Sequence, residues 1–106
     1  MDIEQISVIG SGTMGRGIAY VSALAGYTTV VNDVDQSRLD QAQRWIDETL
    51  HKALEKGKVD AGSLDDIRER ISFVDDLEAA ARNADVIIEA VPEDLNLKKE
   101  LFSQAD

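Results

Sequence analysis

The stretch Gly10-Ser11-Gly12-Thr13-Met14-Gly15 constrains this chain more than any other feature. It follows the β-branched run Ile3 to Ile9 and opens Thr13 to Gly26, where Met14, Ile18, Val21, Leu24 and Ala25 recur at helical spacing. Three glycines between a strand and a helix have separate uses. Gly10 turns the chain sharply, Gly12 lets backbone approach a pyrophosphate with no Cβ in the way, and Gly15 lets the helix pack closely on the strand. In such a loop Ser11 lies between the first two glycines, and the amides of Thr13, Met14 and Gly15 face the anion with the helix dipole behind them.

A tight turn without ligand would use the same glycines, so the next acid matters. Asp33 stands at the end of the run Tyr27 to Asn32, whose Thr28, Thr29, Val30 and Val31 read as a second strand. That is close to the spacing at which a carboxylate accepts both hydroxyls of an adenosine ribose, which selects NAD over NADP. A 2′-phosphate would be repelled there, and no Arg directly follows the strand to neutralise it. The plainer alternative for Asp33 is a turn or cap acid, although Asp35 is better placed as an N-cap. A P-loop is excluded because Gly15 precedes Arg16 instead of Lys and Ser or Thr.

Strand and helix alternate along the rest of the chain. Gln36 to Lys56 has no Gly or Pro and carries Leu39, Ala42, Ile46, Leu50, Ala53 and Leu54 on one stripe, which predicts a long helix. A second helix, Ser63 to Arg70, with Ser63 as N-cap and Asp66 as a weak capping box, makes a helical hairpin with it. Ile71 to Val74 reads as strand three, Leu77 to Arg82 as a short helix, Val86 to Glu89 as strand four, and Leu95 onward as a further helix. The expectation is an α/β Rossmann-type fold: a parallel sheet with helices on both faces and a helical hairpin inserted after strand two. The last helix carries Leu97, Leu101, Phe102 and Ala105 with nothing to stop it before Asp106. The domain is therefore expected to be incomplete at its C-terminus, and the isolated segment to self-associate or be marginally stable.

Composition removes several function classes. Eleven Lys and Arg against 21 Asp and Glu give a net charge of −10, which disfavours nucleic acid and anionic membrane as partners. No Cys and a single His argue against a disulfide framework, a thiolate nucleophile and a metal site. That His, His51, lies mid-helix beside Lys52 and supports no Ser-His-Asp arrangement. An acidic start and the lack of any membrane-length apolar run point to a cytoplasmic protein.

Three stretches, VIGSGTMGRGIAYVSALAGY, VVNDVD and IIEAVPEDLNLKKELF, resemble the N-terminal NAD-binding domain of 3-hydroxyacyl-CoA dehydrogenases, including the bacterial 3-hydroxybutyryl-CoA enzymes. The resemblance runs essentially end to end. It implies NAD-dependent oxidation of a 3-hydroxyacyl-CoA to the 3-oxoacyl-CoA, or the reverse, within fatty acid metabolism. It implies that Glu93 and Lys98 approach the nicotinamide end of NAD, and that Thr49 and Lys56 contact the coenzyme A part of the substrate. It also implies a helical C-terminal substrate and dimerisation domain, a homodimer, and a catalytic histidine, glutamate, serine and asparagine beyond this stretch, so that these residues alone would not turn over.

Physical placement agrees with parts of this. The loop Ala90-Val91-Pro92-Glu93 follows a strand's carboxyl end, where open parallel sheets bind ligands, although Glu93 would also suit a helix start as a surface acid. Thr49 and Lys56 are seven residues apart on one helix face, with Lys52 between. Those lysines form either a basic strip at a cleft or a solvated face paired with Glu48 and Glu55; the two readings stand level. Two alternative functions remain: a β-hydroxyacid dehydrogenase acting on a free acid, and a non-catalytic NAD-binding module.

Overall fold

The computed structural model describes residues 3–90, in the order β1 (Gln5–Ile9), α1 (Thr13–Leu24), β2 (Thr28–Asn32), α2 (Gln36–Glu55), α3 (Ala61–Glu69), β3 (Ile71–Val74), α4 (Leu77–Ala81) and β4 (Val86–Glu89). The expected alternation is present. The expected helix from Leu95 lies outside the described residues.

All strand pairs are parallel, in the order β3-β2-β1-β4. From β1 the chain steps outward to β2 and β3, then returns across the sheet to place β4 on the other side of β1. The C-terminal ends of β1 and β4 therefore flank a topological switch point, where the backbone diverges and leaves a crevice. Successive strand residues face opposite ways. Val8 contacts α1 at Gly15, while the Ser7 hydroxyl donates to the carbonyl of Ala80 on α4 at 2.6 Å. Helices thus cover both faces.

The core centres on α2. Leu39, Ala42, Ile46, Leu50 and Ala53 are buried, the stripe anticipated from spacing. On α1 the apolar spacing signalled the helix but does not mark its buried face. Met14, Val21 and Leu24 are exposed, and the sheet is met by Gly15, Ala19, Ser22 and Ala23. Small residues face inward here because the helix lies close on β1 and leaves no room for branched side chains.

Two helix ends close with the same device. Gly26 (φ 103°) and Gly57 (φ 73°) take the left-handed conformation, and Tyr27 and Lys58 donate back to the carbonyls of Ser22 and Ala53. The second of these bonds folds Lys58 back along α2. At the start of α3 the structure corrects the sequence expectation: the cap is Asp60, not Ser63. The Asp60 carboxylate accepts from the Ser63 amide at 2.8 Å, and the helix begins at Ala61. Ser63 was misplaced because a serine before an acidic turn has cap chemistry, but an aspartate three residues earlier binds the same orphan amides. Asp60→Ala is expected to lower the urea unfolding midpoint through loss of the cap; no change in midpoint would show that the α3 cap is dispensable. Among the described residues, no helix is long and apolar enough to cross a membrane.

Candidate functional site

The glycine loop bridges β1 and α1 at the switch point. Gly10 (φ 101°) donates its amide to the Asn32 carbonyl at 2.7 Å, which ties the loop to the end of β2. A Cβ on Gly15 would lie 1.8 Å from the Gly10 carbonyl oxygen, so only glycine fits. A Cβ on Gly12 would meet nothing within 4 Å, so the loop presents bare backbone to open space. Gly12 is the N-cap of α1 and offers no side-chain cap, and the first turn contains no acid. Among the described residues, the amides of Thr13, Met14 and Gly15 have no protein acceptor. An uncapped first turn with free donors, fronted by a glycine, fits a dinucleotide pyrophosphate.

Asp33 sits at the C-terminal end of this cradle, next to β2, and is 7% exposed. Its Oδ2 accepts from the Ser11 amide at 3.2 Å and the Ser11 hydroxyl at 2.9 Å, and its Oδ1 accepts from the Asp35 amide at 3.0 Å. Burial alone pushes this carboxyl up. The bonds from Asp35 and Ser11, with the charge of Arg38 nearby, outweigh it and hold the group below the ordinary carboxylate value. Asp33 is therefore a carboxylate under physiological conditions. A carboxylate has about four acceptor positions. Three are taken by protein donors and one, on Oδ1, is free for a ribose hydroxyl.

Two of these contacts were not legible in the sequence. The Ser11 hydroxyl ties Asp33 to the glycine loop, a contact between residues 22 apart that only the sheet register creates. Arg38, also unanticipated, pairs with Asp35 at 3.8 Å and places a positive charge near Asp33 although no Arg directly follows the strand.

The residues expected to meet coenzyme A lie further down α2. Tyr20, Thr49, Lys52, Ala53, Lys56 and Lys58 line a cavity of about 280 Å³ between α1 and α2. The Thr49 hydroxyl donates to the Trp45 carbonyl at 2.7 Å, so it can offer a ligand lone pairs only. The ion pairs among the described residues are Arg38 with Asp35 and Arg68 with Asp47. The lysines of this cavity are not engaged by Glu48 or Glu55. Lys52 and Lys56 stand four residues apart on one helix face, a like-charge pair that costs rather than stabilises.

Above this cavity Trp45 joins α2 to α1. The Arg16 guanidinium lies 4.9 Å over its ring, and Tyr20 meets it edge-on at 6.0 Å. His51 is exposed on α2, its Nδ1 donating to the Asp47 carbonyl at 2.7 Å, and it lines a groove with Asp47, Glu48, Lys52 and Glu55 rather than the cavity itself. Glu93 and Lys98 lie outside the described residues. Ala90, the last described residue, is buried and donates its amide to the Ile9 carbonyl, beside the glycine loop.

Comparison with known proteins gives a consistent result. The family described as 3-hydroxyacyl-CoA dehydrogenase, NAD binding domain, matches residues 5–106. A probable 3-hydroxybutyryl-CoA dehydrogenase of Deinococcus radiodurans is 39% identical over 94% of this chain and 35% of its own length. The 3-hydroxyadipyl-CoA dehydrogenase of Escherichia coli K12 is 38% identical over 98% of this chain and 22% of its own. A crystal structure of 3-hydroxybutyryl-CoA dehydrogenase from Escherichia coli K12 superposes with a TM-score of 0.89 at 37% identity, covering 99% of this chain and 22% of that one. The chain thus spans about a third or less of the length of these relatives.

Proposed function

Because this chain belongs to the 3-hydroxyacyl-CoA dehydrogenase family, through its NAD-binding domain, we propose that it is the cofactor-gripping part of an enzyme that interconverts a 3-hydroxyacyl-CoA and its 3-oxoacyl-CoA. NAD is the cofactor of this domain. The observation that carries the proposal is the uncapped first turn of α1, fronted by the bare backbone of Gly12 and flanked by the ionised Asp33.

The residues divide the work. Gly10, Gly12 and Gly15 shape the loop, while the amides of Thr13, Met14 and Gly15 would hold the pyrophosphate. Ser11 orients Asp33, whose remaining acceptor position would take an adenosine ribose hydroxyl. Glu93 and Lys98 are proposed to approach the nicotinamide end. Bound NAD supplies the hydride acceptor or donor, so the protein need only bind, orient and manage the proton. Within this chain no side chain is proposed for proton transfer, since His51 is turned outward on α2.

The lysine cavity supports a coenzyme A thioester over a free acid. Three lysines around one cavity, none ion-paired among the described residues, suit a ligand with several phosphates in a chain of net charge −10. Lys56 would donate to phosphate oxygen. Thr49, with its proton committed to Trp45, would accept from an amide, amino or hydroxyl group of the substrate. A homodimer, and catalytic groups beyond these residues, complete the proposal by analogy with the family.

Titration calorimetry of the intact protein tests both halves. NADH is expected to bind saturably and NADPH at least about ten-fold more weakly, because Asp33 repels a 2′-phosphate. Lys56→Ala is expected to weaken coenzyme A binding about ten-fold while leaving NADH binding unchanged. Equal affinity for the two dinucleotides would sink the cofactor assignment, and unchanged coenzyme A affinity in Lys56→Ala would remove the substrate assignment.

A further inference from the structure

Arg16 is not explained by the fold or by the site described above. It is the residue after Gly15, and among the described residues its buried Nε has no hydrogen-bond partner and no carboxylate lies within ion-pair distance of it. Of the other arginines, Arg38 pairs with Asp35, Arg68 with Asp47, Arg70 donates to the Ala23 carbonyl at the end of α1, and Arg44 and Arg82 are exposed to solvent. The Arg16 guanidinium is instead laid over the Trp45 ring at 4.9 Å, and that ring is braced by Tyr20. Such stacking fixes the plane of the fork without consuming its donors.

Position gives the fork a purpose. Helix side chains slant toward the N-terminus of their helix, and Arg16 is the fourth residue of α1, so the slant favours the glycine-loop end of the helix. On its other side Trp45 connects to the lysine cavity, because Thr49 donates to the Trp45 carbonyl and Tyr20 lines both the stack and the cavity. A charged fork unpartnered among the described residues, carried by the residue after Gly15 and stacked on the ring of Trp45, matches the paired oxygens of a diphosphate.

We infer that Arg16, held on Trp45, is a diphosphate-binding residue that adds a side-chain contact to a loop which otherwise grips its ligand by backbone alone. The inference rests on the cofactor and substrate assignments above. Both ligands carry a diphosphate, and the two arms of the test below tell them apart. Trp45 is the single tryptophan of the chain, so its fluorescence reports on the stack directly.

The intact protein is titrated with NAD and, separately, with coenzyme A. Tryptophan emission and affinity are followed in wild type, Arg16→Gln, Arg16→Lys and Asp33→Ala, and circular dichroism establishes that each variant is folded. For one of the two ligands, Arg16→Gln is expected to weaken binding about ten-fold, to abolish the emission change seen in wild type, and to make binding less dependent on salt. Arg16→Lys, which keeps charge and loses the fork, is expected to fall between. The ligand that responds identifies the source of the diphosphate. Wild-type affinity for both ligands in folded Arg16→Gln overturns the inference. If Asp33→Ala then still loses NAD, the inference fails alone; if it too keeps wild-type affinity, the cofactor assignment fails with it. Wild-type emission that is flat through saturation with both ligands also counts against Arg16, and needs no variant.

Discussion

Gly15→Ala is expected to destabilise the protein by about 3 kcal/mol or more, and to leave little folded material at 37 °C. The new Cβ would sit 1.8 Å from the Gly10 carbonyl oxygen and 2.8 Å from its carbon, distances that only backbone movement can relieve. That movement is opposed on two sides. Gly10 is held by its bond to the Asn32 carbonyl at 2.7 Å, and the adjoining Ser11 by two bonds to Asp33. The helix cannot retreat instead, because Ala19, Ser22 and Ala23 seat it on the sheet along the same face. Two other glycines supply the controls. A Cβ on Gly12 or Gly17 meets nothing within 4 Å. Gly17→Ala, inside α1, is expected to stabilise by about 0.5–1 kcal/mol through reduced unfolded-state entropy. Gly12→Ala should fold normally, and affect only ligand binding. Urea unfolding of the three variants side by side gives the answer. Equal midpoints for Gly15→Ala and Gly17→Ala would mean that the loop and helix do not approach as closely as the structure has them.

That contrast shows what a glycine pattern conveys. The spacing of Gly10, Gly12 and Gly15 announced the loop, and the β-branched runs on either side placed it between strand and helix. These signals are local, so they survive reading from sequence alone. The long stripe of α2 was legible for the same reason, since one helix face carries its whole pattern. The burial of α1 was not. Its apolar residues Met14, Val21 and Leu24 are exposed, because close approach to β1 selects small side chains there instead of large ones. Asp60 was missed because two residues with cap chemistry compete for one helix start, and only the backbone geometry decides between them. At the site, Asp33 could be placed from its strand, whereas its bonds to Ser11 depend on β1 and β2 lying side by side in register. The lysines show the same division. Spacing puts Thr49, Lys52 and Lys56 on one face, but spacing alone does not decide whether Glu48 and Glu55 neutralise them, because that depends on side-chain rotamers. Lys58 joins them only because Gly57 turns the chain back on the helix.

Asp33→Asn is expected to lower NADH affinity about 100-fold, the value of two charge-assisted hydrogen bonds lost together. One loss is direct, since an amide offers the ribose a weaker acceptor. The other is indirect. The amide NH₂ must face either the Asp35 amide or the Ser11 donors, and each is already a donor, so one side of the anchor is broken whichever way the group is turned. Ser11→Ala separates the two effects: it keeps the carboxylate, releases one acceptor position on Oδ2, and should reduce NADH affinity only through a looser loop. NADPH is expected to move the other way relative to NADH. Without the negative charge at residue 33 the repulsion of a 2′-phosphate is gone, while the Arg38 charge beside the site remains, and the preference for NADH should narrow to a few-fold. The same carboxylate gives stability a pH signature. Its folded-state value is depressed, so it contributes stability at pH above its unfolded value, about 3.9, and that contribution is lost as pH falls toward the depressed one. Wild type should therefore exceed Asp33→Asn in stability at neutral pH, and the two curves should converge on acidification. A stability difference that persists unchanged to the lowest pH at which both proteins fold would mean that Asp33 acts by shape rather than by charge, and that the electrostatic account of the site is wrong.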